Sequence, residues 1–255
     1  MKPQTLAFIL SAFLVGCSTG NIDFGGLTGL FSNQGTIGSG ATSGNVQTMD
    51  IDLDQMEVAG DRVLTKEELI EAKSAYEKGM RDARNMQSST WNNYGGARIH
   101  YVMTGGSVSN KDMLEKFPKL GAAHPHVQEY ITRLYNMHSR MVVGEVLRSP
   151  KRQKRLKAKG VSWTLKSKHI APYGQVLAVD LVPIKNKKVD YNDIHSIFYI
   201  QGLGAGLGKY LGSMPCSIFA LEPVDVFGWR YIGKRIIDGY HHEFRERAAC
   251  VGQAI

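Results

Sequence analysis

Eight histidines and a few carboxylates are the residues best suited to chemistry in this chain. His100, His124, His126, His138, His169, His195, His241 and His242 are dispersed, and the helical pattern His-Glu-x-x-His is absent. Two local groups stand out. Ser167-Lys168-His169 leads through a loop to Ala178-Val179-Asp180, and Asp238-Gly239-Tyr240-His241-His242 lies near the end. Two imidazoles and one carboxylate make a three-ligand zinc site with a fourth position open for water. A further carboxylate three residues before an imidazole has the reach to act as general base on that water. Asp238 precedes His241 at that spacing, which favours His241 over its neighbour His242 as the ligand.

Those residues need elements to hold them. Thr65-Lys66-Glu67-Glu68 is a capping box, and apolar residues at helical spacing after it predict a helix over 66–84. Pro125 opens a helix with Val127, Tyr130, Ile131, Leu134 and Tyr135 on one face. A strand is expected over 141–147. Ser149-Pro150 then starts a mostly solvated helix that Gly160 ends. Val176–Val182 has the apolar bias of a buried strand, and Asn192 is placed to cap a helix through Ile194, Ile197 and Phe198. Ile99–Met103, Ile218–Leu221 and Val226–Tyr231 are further strand candidates. The glycine run Gly202–Gly208 lacks phosphate-loop spacing, so close packing or a flexible cover suits it better than nucleotide binding.

The order of the motifs narrows the reading. Leu147-Arg148-Ser149-Pro150-Lys151-Arg152-Gln153 is followed by Ser167-Lys168-His169, by Ala178-Val179-Asp180 and by Asp238-Gly239-Tyr240-His241. This order resembles the zinc peptidases that include the D-Ala-D-Ala carboxypeptidases and the phage L-alanyl-D-glutamate endolysins. Gly121-Ala122-Ala123-His124-Pro125 is similar to the endolysin lead-in, and the resemblance runs from about 114 to 246. It implies an α+β fold: a small antiparallel sheet with flanking helices and a zinc site, of the D-Ala-D-Ala peptidase and Hedgehog kind. It implies His169, Asp180 and His241 as zinc ligands and Asp238 as catalytic base. Arg148 would hold the substrate carbonyl or carboxylate and stabilise the oxyanion, and Ser167 would support the ligand loop or the substrate. The His169–Asp180 interval is longer than the family's, with an insertion near Ala171-Pro172-Tyr173 that a bulge above the metal would accommodate. Tyr240 stands where the family prefers Pro. The implied activity is hydrolysis of peptidoglycan stem peptides, as an L-alanyl-D-glutamate endopeptidase or a D,D- or L,D-carboxypeptidase. The alternative is a non-catalytic wall-binding lipoprotein that keeps the fold.

Charge and the N-terminus add context. The chain has 255 residues and a net charge of +8. Nine Lys/Arg stand between Arg148 and Lys168 with no acidic residue among them, and elsewhere the signs nearly balance. That pattern argues against a generally basic nucleic-acid binder and for one cationic patch. Lys2 and an apolar run over 6–15 end at Leu14-Val15-Gly16-Cys17-Ser18. The run is too short to span a bilayer and suits a signal peptide. Its end resembles the bacterial lipobox, which implies lipidation of Cys17 and a lipid anchor on the periplasmic face of the envelope, with the outer membrane favoured by Ser18. The domains expected are a signal peptide (1–16), the lipidated Cys with a flexible Gly/Ser-rich tether (17–62), a helical segment of unassigned role (63–110) and a zinc-peptidase-like domain (111–250). In an oxidising compartment Cys216 and Cys250 are either a disulfide or two buried thiols.

Overall fold

Helices begin in this chain where a side chain can satisfy backbone N–H groups that have no partner within the helix. The computed structural model describes residues 51–60, 64–94, 108–162, 164–224, 231–232, 235–236 and 239–252, without the side chains of 57–60, 87–94, 231–232 and 235–236. The signal peptide, Cys17, most of the tether, the strand candidate Ile99–Met103 and Asp238 lie outside the described residues, as does Val226–Tyr231 except for Tyr231.

Helix α1 spans Leu53–Gly60 and α2 spans Lys66–Tyr94, ten residues beyond the expected end. The capping box is formed: Glu68 N–H donates to the Thr65 hydroxyl at 3.2 Å, and Thr65 N–H donates to the Glu68 carboxylate at 2.9 Å. After α3 (Asn110–Lys116) and a 3₁₀ turn (Pro118–Ala122), α4 runs Pro125–Met137. Its cap is the His124 imidazole, which accepts from His126 N–H. Strand β1 covers only Met141–Val143. Then α5 (Pro150–Ala158) follows, with Ser149 as N-cap and Gly160 at φ +77° just past its end. The later strands are β2 (Ala178–Lys185), β3 (Lys188–Val189), β4 (Leu221–Pro223), β5 (Tyr231–Ile232), β6 (Arg235–Ile236) and β7 (His241–Glu246). Helix α6, Ile194–Leu211, lies between β3 and β4. Its cap is Asp193 rather than Asn192, because the Asp193 carboxylate accepts from Ser196 N–H while Asn192 is turned inward by its own bond to Asp190.

The fold is α+β, as the sequence implied. The sheet order is β1-β2-β7-β4, with β3 added to the far end of β2, and every pairing is antiparallel. One face of the sheet lies against α4 and α6, and α2 packs on α6. The glycine run is neither a loop nor a cover but the inner side of α6. A Cβ on Gly202 would stand 2.0 Å from the Tyr76 carbonyl oxygen, and one on Gly79 would stand 2.4 Å from that of Tyr199. Small residues thus let α2 and α6 touch backbone to backbone. This gives residues 66–94 a role that composition left open: they buttress the helix behind the sheet. The tether is also shorter than its composition suggests, since α1 is formed and Met56 is buried.

Cys216 and Cys250 are bonded, tying the turn after α6 to the turn after β7 across 34 residues. Closing a loop of that length is worth roughly 3–4 kcal/mol in chain entropy. A Cys216→Ser variant should lose stability of that order in chemical denaturation, and reductant should reproduce the loss in the parent. His242 on β7 is buried, with its Nε2 unpartnered, and burial holds its imidazole down to about 3. In the unfolded chain it titrates near 6.5. The unfolded state therefore binds the extra proton between those values, so stability is full above about pH 6.5 and falls as pH drops toward 3. In metal-free protein, His242→Leu should flatten that decline; an unchanged slope would exclude His242 as its source.

Candidate metal centre

The register of β2 and β7 builds the site. Asp180 pairs with His241, and Val179 pairs with His242. Directly paired residues share a face and successive residues alternate. Asp180 and His241 therefore project together to one side, while His242 projects to the helix layer, against Tyr130 and Gly204. Strand alternation makes the choice between the two histidines that sequence spacing only favoured.

His169 comes to the same point from the loop before β2. Its N–H donates to the Ser167 hydroxyl, and its carbonyl accepts from Arg148 N–H at 3.0 Å. Ser167 thus supports the loop. The ring Nδ1–H donates to the Val146 carbonyl at 2.7 Å, since a carbonyl can only accept. That leaves the Nε2 lone pair facing inward. On the other side, His241 Nε2 lies 3.2 Å from a Glu243 carboxylate oxygen, which accepts its N–H and leaves the Nδ1 lone pair facing inward. The three inward atoms form a triangle. His169 Nε2 is 3.1 Å from His241 Nδ1 and 3.3 Å from Asp180 Oδ1, and His241 Nδ1 is 3.1 Å from Asp180 Oδ1.

Three acceptor atoms that close repel unless a cation or a proton sits among them. For bonds of about 2.0–2.1 Å, a tetrahedral ion needs ligand edges of about 3.3 Å, so the triangle matches one tetrahedral face. All three residues are buried, at 0%, 1% and 4% exposure for His169, Asp180 and His241. Burial pushes the Asp180 carboxyl upward, but its interactions with the His169 and His241 imidazoles outweigh this and hold the group well below the usual carboxylate range. Asp180 is thus kept in its ligating, ionised form. Among the described residues, this is the one group of three His, Cys, Asp or Glu whose donor atoms lie close enough to hold a metal ion.

Arg148 borders the triangle, with one guanidinium nitrogen 3.7 Å from Asp180 Oδ2. Two residues that the sequence reading gave no role hold it there. Glu145 accepts from Arg148 Nε at 2.6 Å, and Gln153 accepts from another guanidinium nitrogen at 3.0 Å. Gln153 is fully buried and donates to the Ser162 hydroxyl and the Thr164 carbonyl. The motif that contains Arg148 ends at Gln153, and Glu145 is the one acid in the apolar run Val142–Leu147; these were the available signals. Gly144 N–H donates to the Asp180 carbonyl, and Asp180 N–H donates to the Glu145 carbonyl. Two residues thus face one, as in a β-bulge, and this turns the chain from β1 toward Arg148. A Cβ on Gly144 would stand 2.9 Å from the Asp180 oxygen, so the close approach needs glycine.

The insertion after His169 leaves the triangle intact. It does not arch above the ligands: Gly174 and Val176 N–H groups bond the Ala122 carbonyl, and Tyr173 lies over Gly121. The extra residues are absorbed against the 3₁₀ turn.

Residues 113–212 match the family model described as phage L-alanyl-D-glutamate peptidase, so the resemblance seen in the motifs holds over that segment. The matched segment contains Arg148, Ser167, His169 and Asp180 and ends before His241. Among solved structures, the chain is similar to the Serratia marcescens L-Ala D-Glu endopeptidase ChiX, with 23% identity over 52% of this chain and 88% of that one, at a TM-score of 0.38. No curated protein matches the chain.

Titration with zinc should show about one high-affinity site per chain, lost in His169→Ala and Asp180→Ala. Glu243→Ala should weaken binding about 10- to 100-fold by freeing the His241 ring. Glu243→Gln, which can still accept through its amide oxygen, should retain more. Equal affinity in all Glu243 variants would mean that the ring is held by other contacts.

Proposed function

We propose that the protein is a lipid-anchored zinc peptidase of the bacterial envelope that cleaves the L-alanyl-D-glutamate bond of peptidoglycan stem peptides. The observation that carries this reading is the triangle of His169, Asp180 and His241 beside Arg148, with three of the four inside the segment that matches the peptidase family model. Two imidazole nitrogens and one carboxylate oxygen suit zinc, which when bound supplies a Lewis acid and water acidified toward neutral pH.

The chain's own residues supply the rest. Arg148 offers a rigid guanidinium fork to a peptide carbonyl or stem-peptide carboxylate. Glu145 and Gln153 prevent that fork from swinging away. Asp238 takes a proton from the attacking water and returns it to the departing amine. The water oxygen ends on the L-Ala carboxyl, the C–N bond breaks, and D-Glu leaves with a free amine. A D,D- or L,D-carboxypeptidase would use the same residues with a different pocket.

The placement in the envelope rests on sequence. The lipobox-like Leu14–Cys17 supports acylation of Cys17, and several acyl chains make a stable anchor. Among the described residues, no helix is long and apolar enough to cross a membrane. The Cys216–Cys250 bond suits an oxidising compartment. The cationic stretch from Arg148 to Lys168 would face an anionic wall polymer.

Mass spectrometry of purified sacculi treated with the protein should find new C-terminal L-Ala and N-terminal D-Glu. Asp238→Ala should abolish their release while zinc stays bound. Undiminished release in that variant would overturn the role of Asp238. Sacculi that are bound and left uncut by zinc-loaded parent protein would favour a wall-binding module instead.

A further inference from the structure

A hydrolase must open its metal to substrate, yet the three inward-facing residues here are at most 4% exposed. Helix α1 packs beside them. Gly144 lies on the ligand face of the sheet, and the position a Cβ would take there is 3.2 Å from both Asp180 Cβ and the Met56 sulfur. Met56 thus packs on the ligand side, against the residue next to Asp180. Asp54, two residues earlier, reaches α5: its carboxylate is 3.6 Å from Arg152 and 3.4 Å from Arg155. The Leu53 carbonyl accepts from Arg152. Asp52 N–H donates to the Tyr191 hydroxyl at 2.9 Å, and its carboxylate caps α1.

The two partners are opposite in composition. Residues 50–57 read Asp-Ile-Asp-Leu-Asp-Gln-Met-Glu, with four acids and no base. Leu53 and Asp54 meet the start of the nine-cation stretch that contains Arg148. Arg152 also shares Glu145 with Arg148, so the two arginines belong to one network.

We propose that α5 and Arg148 form one carboxylate-binding surface and that α1 is an internal acidic strap that occupies its outer half and covers the metal site. This rests on the peptidase reading and names the surface that its substrate must win. A stem peptide carries carboxylates that compete for Arg152 and Arg155. The strap is built to yield. A helix of 8 residues does not hold itself together. Its ion pairs are weak too, because Asp54 is 74% exposed. The segment also follows the stretch expected to run from the lipid anchor, so tension or crowding at the membrane would act directly on it.

The test uses the full chain, loaded with zinc, as parent, Asp54→Lys and Met56→Asp. Three rates are read: zinc loss to excess EDTA, hydrogen exchange over 52–60, and cleavage of soluble stem peptides. Both variants should lose zinc about two- to tenfold faster. Exchange over 52–60 should rise in parallel, and KM should fall with kcat little changed. A synthetic peptide spanning 48–60, added in trans, should slow the variants again. Faster exchange with unchanged EDTA rates would overturn the strap, leaving α1 as mere edge packing. If no form cleaves peptide, the peptidase reading fails, and the EDTA rates still decide whether α1 covers the metal site. Asp54→Lys changes an exposed position and keeps the test valid should Met56→Asp not fold.

Discussion

One cross-strand pair organises this protein: Asp180 on β2 opposite His241 on β7. Because paired residues share a face, the register places a carboxylate and an imidazole side by side at the sheet surface. A slip of one residue by either strand would send that strand's member to the helix layer and part it from the other. The hydrophobic side of the sheet guards against such a slip. Val179, Leu181 and Phe244 are buried, and α6 lies over that side through glycines that admit no larger residue. The packing of α2 on α6, far from any chemistry, is thus part of what holds the site in register.

The same pair sets the electrostatics. A buried carboxylate is costly unless it is compensated. Here His169, His241 and Arg148 surround Asp180, and Glu145 balances Arg148 and Arg152 in turn. Each charge in the chain Asp180–Arg148–Glu145–Arg152 neutralises its neighbour. The first member faces the inward triangle, and the last meets Asp54 of α1 at the surface. The +8 surplus is therefore no diffuse property of the molecule. Its inner end is locked in a buried network, and its outer arginines, Arg152 and Arg155, share the Asp54 carboxylate.

Much of this was legible beforehand. Helix starts at Thr65, Pro125 and Ser149-Pro150 depend on local hydrogen bonds and fixed φ, and these are properties of a few adjacent residues. The ordered motifs around Arg148, His169 and Asp180 carried the family resemblance. Less was legible where distant residues decide. The glycine run read as either close packing or a flexible cover, and only the surface of α2 decided for packing. The β1 strand ended early because Gly144 and Glu145 both pair with Asp180, far along the chain. Glu145 and Gln153 were assigned no role beforehand, because what they do is hold another side chain.

The amino-acid sequence by itself determined the donor types, their order, the helix caps and the concentration of positive charge. Those follow from residue identity and from neighbours a few positions away. Tertiary structure alone decided that His241 rather than His242 faces His169 and Asp180. It decided that the two cysteines bond, and that an acidic segment from the N-terminal side meets the arginines of α5. Each of these depends on a strand register or a contact between residues tens of positions apart. Local propensity cannot specify such contacts; the burial of a common core does.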